Sequence, residues 1–522
     1  MIAARPDLPT RVDHTDGEVS ALVVGGGIAG ISAATVLAER GLRVELLEGA
    51  DALGGRLGTW NRTLPDGTEV TVEHGYHGFF RQYYTLRDVL RRLDPELGFL
   101  RDVGGYPIVS RPRDGVEWAP EDFSQLPRVP LLNLVALVVA SPSFRLRDLR
   151  HVSARETLAM LTYDPVATYA EHDHRTAEQL LDSLGFSDRG RAMLFEVFAH
   201  SFFNTEQRYS AAEFLAMCHF YFTGNAEGLG MDAPDDDYRT TLWEPFARLL
   251  DKHGAMVTTG ARARSVAPDG ARGWAVEVDG PGGETGRTRR ARHLVLATDV
   301  PGTRALVGAS PELAAVAPRL ARQVADVPGG EPYVVARLWC DRDLDPAHRP
   351  FTSVTRERVL DSVTLFHRLE RSSARWAQRT GGSVVELHSY ACPAGESLDD
   401  LVAAMLAELC ALWPEFADVV VLDIDAHRYD NAPGFDPGAH ARRPGVLTDA
   451  RGLRLAGDWV GCDIPSALME RAAVTGVLAA NDVLREEGAA PEPIRSIPPR
   501  GPLAALRGRS GPSLARDRGA GR

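Results

Sequence analysis

Glycines, an arginine and acids stand in this chain in patterns suited to holding a phosphate-bearing cofactor. Gly25, Gly27 and Gly30 lie in GGGIAG, directly after the apolar run ALVV at 21–24, and Ala29 belongs to the same turn. Gly25 permits a tight turn, Gly27 lets a pyrophosphate approach the backbone, and Gly30 lets the following helix pack closely on its strand. Glu48 ends a second apolar run at 44–47, where a carboxylate accepts hydrogen bonds from a ribose; a 2′-phosphate would favour a cation there. Strand, glycines, a small-residue helix over 31–40 and the acid have the spacing of a dinucleotide-binding βαβ unit.

Two further patterns point to a flavin. LGGR at 53–56 brings Gly55 and Arg56, adding backbone donors and a positive charge beside a pyrophosphate. LRLAGD at 453–458 reads as a short strand ending in Gly457 and Asp458, and residues 464–481 read as a helix whose start faces the isoalloxazine. Asp458 would accept hydrogen bonds from the ribityl or phosphate region. Amides around Leu468 and Met469 would offset the charge that reduction puts on the ring. Together these pieces predict FAD. Residues 254–266 read as a Gly-bounded strand pair and 292–299 as a buried strand. They either complete an FAD domain, with Val266 offering backbone contacts to adenine, or form an ordinary β-hairpin.

His74 and His77 sit three apart in HGYHGFFRQYYTLR, among Tyr76, Phe79, Phe80, Tyr83 and Tyr84. This run follows a predicted strand at 69–73 and continues into a helix. It reads in two ways: an aromatic core with satisfied histidines, or an apolar wall beside the flavin that tolerates a cation, since ring faces stabilise positive charge.

The elements that must position these residues need a large protein. With 522 residues the chain is long enough for two or three domains. The fold class expected is α/β: a discontinuous Rossmann-type FAD domain from 19–62, 240–300 and 445–488, and a mixed sheet-plus-helix substrate domain from 63–239 and 301–444. Residues 1–18 and the Pro-, Gly- and Arg-rich 489–522 are expected to be disordered. A net charge of −13 excludes nucleic acid as a partner of the folded body. Five scattered cysteines without a C-x-x-C pair predict no disulfide framework and no metal site, and a reducing cytoplasm. No stretch reaches the length of a membrane-spanning helix. The run PLLNLVALVVASPSF at 130–144 reads as a buried helix or as one lying at a membrane surface. Arginine outnumbers lysine 57 to one, which reads mainly as the GC bias of a bacterial genome. The one lysine, Lys252, follows an amphipathic helix far from the flavin-facing segments, which speaks against an oxygen-using amine oxidase with a lysine at the flavin.

Several of these segments resemble carotene desaturases of the plant and cyanobacterial type. The resemblance is closer to the carotene desaturase/methylase family, the isorenieratene (φ-ring) synthases. It is carried by the 74–87 run, FEVFAHSFF at 195–203, residues 210–229, TTLWEPFARLL at 240–250, AGDWV at 456–460 and ALMERAA at 467–473. It covers about 50–490. By this resemblance Ala29, Glu48, Arg56, Asp458 and Met469 match FAD-contacting positions, and His77 matches the histidine preceding Phe79-Phe80. Thr85 and Gly78 depart from the pattern, which has Asn at the first position and a larger small residue at the second.

The resemblance implies conversion of the β-ring of a carotene to an aromatic φ-ring. That removes hydrogens and shifts one methyl group, because a geminal dimethyl carbon cannot enter an aromatic ring. FAD is suited to take hydride from an allylic carbon. The protein must then supply a dry apolar tunnel, aromatic stabilisation of a cation, and a base. Candidate bases are His77, His74, Glu227 in the loop 224–230, and Asp232 in MDAPDDDY at 231–238, a run that otherwise reads as a solvated turn. A membrane-dissolved carotenoid implies peripheral contact with the inner face of the cell membrane, and the reduced flavin implies a quinone or oxygen as acceptor. Competing readings are a carotenoid desaturase or isomerase without methyl shift, an FAD-dependent oxidase of another apolar substrate, and a prenyl-lipid escort without redox function. Glu48, Gly55, Arg56, Gly457 and Asp458 speak against the escort.

Overall fold

The computed structural model describes residues 8–12, 21–112, 118–122, 141, 143, 152–270, 273–280, 282 and 285–507. Short runs with both faces apolar can be stable only inside a sheet covered on both sides. Four such buried strands and the more exposed edge strand Met256–Thr258 form a parallel sheet in the order Met256–Thr258, Val44–Leu47, Ala21–Val24, His293–Leu296 and Leu453–Leu455. Helix Ile28–Glu39 lies against this sheet with nearly every residue buried. Its small side chains let helix Leu468–Glu486 approach closely. At Gly476 a Cβ would stand 2.2 Å from the Ala29 carbonyl oxygen, so any side chain there would separate the two helices.

The 254–266 stretch makes no hairpin. Met256–Thr258 joins the parallel sheet beside Val44–Leu47, whereas Arg262–Asp269 pairs with Gly273–Asp279 in a separate antiparallel sheet completed by Arg287–Ala291.

A seven-stranded sheet forms the other layer, in the order Val421–Tyr429, Tyr333–Cys340, Ser383–Ser389, Ser362–Leu365, Phe351–Val354, Pro107–Val109 and Glu121–Asp122. Its second strand, YVVARLWC, is buried throughout, and Arg337 faces Glu386 in register on the neighbouring strand. The α/β class with a parallel sheet and a mixed sheet is the one expected from the sequence.

Two expectations are corrected. Residues 231–238 are no solvated turn: Met231–Pro234 is the central strand of a small sheet between Phe79–Phe80 and Leu100–Asp102, and its acids are buried. The abundant arginines make this possible, since Arg81 and Arg87 hold Asp232 while Arg101 and Arg371 hold Asp235. Residues 489–507, expected within a disordered tail, pack on the body. Ile494 and Ile497 are buried, the Arg495 carbonyl accepts from Thr85 Oγ1, and the Pro498 carbonyl accepts from His219 Nε2. Near the other terminus, the Pro9 carbonyl accepts from the Ala490 amide and Val12 donates to the Arg40 carbonyl. The apolar run at 130–144 lies outside the described residues apart from Ser141 and Ser143.

Candidate active site

A cavity of about 780 Å³ runs from the parallel sheet to the seven-stranded sheet. Gly25, Gly27, Ala29, Glu48, Gly55, Arg56, Gly457, Asp458 and Met469 line one half of it. Gly25 takes φ +110°, and a Cβ there would lie 2.5 Å from the Ala297 carbonyl oxygen, so the turn after the first strand admits only glycine. Gly30 is set back from the cavity and packs against that turn. Glu48 accepts from the amides of Gly26 (2.7 Å) and Ala50 (2.7 Å), which holds its carboxylate at the rim.

Two helices open onto this half with unsatisfied first-turn amides. Neither Gly27, at the start of Ile28–Glu39, nor Ala467, before Leu468–Glu486, has a side-chain cap. Leu468 adopts φ +48°, a conformation that costs a non-glycine residue roughly 1–2 kcal/mol. Uncapped amides on a strained turn facing a cavity suit an anionic ligand, so the residues present fit a flavin dinucleotide. Arg56 and Asp458 form a 2.6 Å ion pair in the same wall. Burial would discharge Arg56, but Asp458 outweighs it and keeps the guanidinium charged.

Aromatic rings and imidazoles line the other half. His74 stacks on Tyr429 with centroids 3.8 Å apart, and His74 Nε2 lies 3.2 Å from Tyr333 Oη. Tyr333 gives its own proton to Asn431 Oδ1 (3.0 Å), so His74 Nε2 carries a proton and donates to it. His77 Nδ1 lies 2.9 Å from the Gly75 carbonyl oxygen, which can only accept; Nδ1 therefore carries the proton and Nε2 the lone pair. Burial, reinforced by neighbouring cations and imidazoles, pushes His74 down to about 3 and His77 down to about 4. Both rings are neutral at physiological pH.

Glu227 and Asp232 do not line the cavity. Glu227 accepts from Tyr84 Oη at 3.3 Å, and Asp232 is bound between Arg81 and Arg87. An ion-paired carboxylate away from the cavity is no base for a substrate in it. Val266 is also elsewhere: its amide donates to Ser310 Oγ (2.8 Å), and the cavity is lined instead by 261–264 at the start of the same strand. Lys252 is exposed at the end of helix Glu244–Lys252, away from the cavity.

Sequence reasoning missed His388, Tyr390, Tyr333, Tyr106 and Phe351, all of which line the cavity from the second layer. One signal was available. In SVVELHSY, Glu386, His388 and Tyr390 alternate along a strand otherwise rich in valine and leucine, so period two puts them on one face. His388 Nε2 sits 2.7 Å from Glu386 Oε1 and Nδ1 sits 3.2 Å from Tyr390 Oη.

Residues 28–484 match the family model of flavin containing amine oxidoreductases. The chain is 39% identical to a carotenoid phi-ring synthase of Streptomyces griseus over 95% of this chain and 94% of that protein. It is 28% identical to the carotenoid phi-ring synthase of Chlorobaculum tepidum over 93% and 91%. Among solved structures, cyclohexylamine oxidase from Brevibacterium oxydans superposes with a TM-score of 0.63 at 17% identity, over 90% of this chain and 99% of that one, a likeness of fold.

Proposed function

Since the chain belongs to the flavin containing amine oxidoreductases and, within them, to the carotenoid phi-ring synthases, we propose that it uses FAD to turn the β-ring end groups of β-carotene into aromatic φ-rings by desaturation with methyl migration. The observation that carries this reading is a single cavity with phosphate-binding turns and uncapped helix starts in one half and aromatic rings and neutral imidazoles in the other. Bound FAD supplies the acceptor for hydride from the ring.

The chain's own residues do the rest. Gly25, Gly27, Glu48, Gly55, Arg56 and Asp458 hold the dinucleotide, and the amides after Ala467 offset negative charge at its ring end. Tyr76, Phe80, Tyr106 and Phe351 keep water from the end group and offer aromatic rings to positive charge developing on it. His77, neutral and with its Nε2 lone pair free, is the base of this half of the site, and His74 lies beside it.

A carotenoid dissolves in membrane, so the protein works at the inner membrane face as a peripheral protein. No helix among the described residues is long and apolar enough to cross a membrane. A quinone or oxygen would serve as the final electron acceptor.

Expression in a β-carotene-producing bacterium tests the reading. The expected pigment has lost two pairs of hydrogens for each aromatised ring and shows an aromatic end-group spectrum. A pigment desaturated without aromatisation indicates a desaturase, and unchanged β-carotene beside a flavin-loaded protein indicates another apolar substrate. Conversion with and without oxygen identifies the acceptor, and membrane fractionation locates the protein.

A further inference from the structure

Taking one ring double bond to three removes two hydrides and two protons, and the protons leave different carbons. His77 accounts for one acceptor. We propose that Tyr390, backed by His388 and Glu386, is a second proton acceptor of the site; this rests on the φ-ring reading above.

The hydrogen bonds in this group run in one direction. Glu386 accepts from the Tyr76 amide (2.6 Å), from Arg337 Nε (2.9 Å) and Nη2 (2.8 Å), and from His388 Nε2 (2.7 Å). Burial alone would raise Glu386, but Arg337 and His388 outweigh it and hold the carboxylate down at about 2. An ionised carboxylate only accepts, so His388 Nε2 carries a proton, and in the neutral imidazole Nδ1 then holds the lone pair. Tyr390 therefore donates its hydroxyl proton to His388 Nδ1 across 3.2 Å. Ser362 Oγ, 3.0 Å from the same hydroxyl, is left to donate to the tyrosine oxygen. The strand residue opposite His388 is Ser362, so the backbone ladder itself sets this order.

The group is also placed for work on the end group. Tyr390 and His388 both line the cavity. His388 packs against the loop that carries His74 and His77: a Cβ on Gly75 would stand 2.9 Å from His388 Nε2. Tyr390 lies edge-on to Phe203, with centroids 5.8 Å apart, and Phe203 lines the cavity with it, an aromatic side chain of the kind that stabilises a carbocation.

The step balances as a proton transfer. A C–H bond next to the cationic ring carbon breaks, and its electron pair becomes the new C=C bond. The proton goes to Tyr390 Oη as the tyrosine's own proton passes to His388 Nδ1. The imidazolium so formed is held by Glu386, and its proton returns to water after product leaves. A carbocation gives up a proton readily, so a weakly basic phenol suffices when an imidazole stands behind it.

The test uses the full-length, flavin-loaded enzyme with β-carotene, comparing Tyr390→Phe and His388→Gln with the unaltered chain. Phe keeps the ring and removes the acceptor. Gln keeps a donor toward Glu386 but cannot take a proton, so a merely structural histidine would be rescued by it. Rates are taken per bound flavin, so a variant that folds poorly still reports. In both variants the aromatic product is expected to form about 100-fold more slowly, with a partly desaturated, non-aromatic ring accumulating. Aromatic product at the unaltered rate in both variants, without that intermediate, overturns the relay alone. No aromatic product from the unaltered enzyme overturns the reading of function and the relay with it.

Discussion

Arg56 and Asp458 meet in a 2.6 Å ion pair that joins the first βαβ unit to the turn after the last strand of the parallel sheet. One stands on the short 3₁₀ turn Gly55–Leu57, the other just past Leu453–Leu455, and both line the cavity. Contact between segments about 400 residues apart in sequence builds this wall of the cavity.

Asp458→Asn removes the counter-charge of Arg56 and one ionised acceptor. Loss of a hydrogen bond to a charged group is worth about 2 kcal/mol, or roughly thirtyfold in affinity. The flavin-to-protein ratio after gel filtration is expected to fall accordingly, with the fold retained by circular dichroism.

His74 and His77 make stability depend on pH. In the folded chain they bind protons only near 3 and 4, against 6.5 unfolded. Between these values the unfolded chain takes up protons that the folded one refuses. Their contribution is therefore full above about pH 6.5 and is lost as pH falls toward 4, at no more than about 1.4 kcal/mol per pH unit for each ring. Thermal melts from pH 7 to pH 4 should show a falling Tm, with a shallower slope in His77→Gln.

Gly476→Ala drives a methyl group into the Ala29 carbonyl oxygen, which would lie 2.2 Å away. Overpacking of this kind costs about 1–3 kcal/mol. Because Ala29 lines the cavity beside Gly25 and Gly27, both Tm and flavin retention should drop; a fall in Tm alone would uncouple the helix contact from the site.

Truncation after residue 488 removes Ile494 and Ile497 from the core, and burial of each is worth about 1.5–3 kcal/mol. It also strips the carbonyl partners of Thr85 and His219. The shortened chain should melt at a markedly lower temperature; an unchanged Tm would show that this segment contributes nothing.

The cavity wall formed by Gly25, Gly27, Glu48, Gly55, Arg56 and Asp458 was legible in the sequence because its determinants are local. A tight turn needing glycine at Gly25, a helix start without a side-chain cap, and an acid closing the second strand are constraints between near neighbours, and each leaves its mark within a few residues. Residue type and spacing by themselves therefore determined the α/β class, the cofactor half, and the two histidines that line the cavity. Tertiary structure alone decided which candidate acids are free. Asp232 was a plausible base until Arg81 and Arg87 closed on it, and an apparently polar run, 231–238, was buried, with Met231–Pro234 as a strand, because arginines distant in sequence paid its charge. It also decided the far wall. Glu386, His388 and Tyr390 form a directed chain only when the two flanking strands bring Arg337 opposite Glu386 and Ser362 opposite His388. Register between strands is set by long-range packing, and no spacing along one strand records which residue will stand across from it.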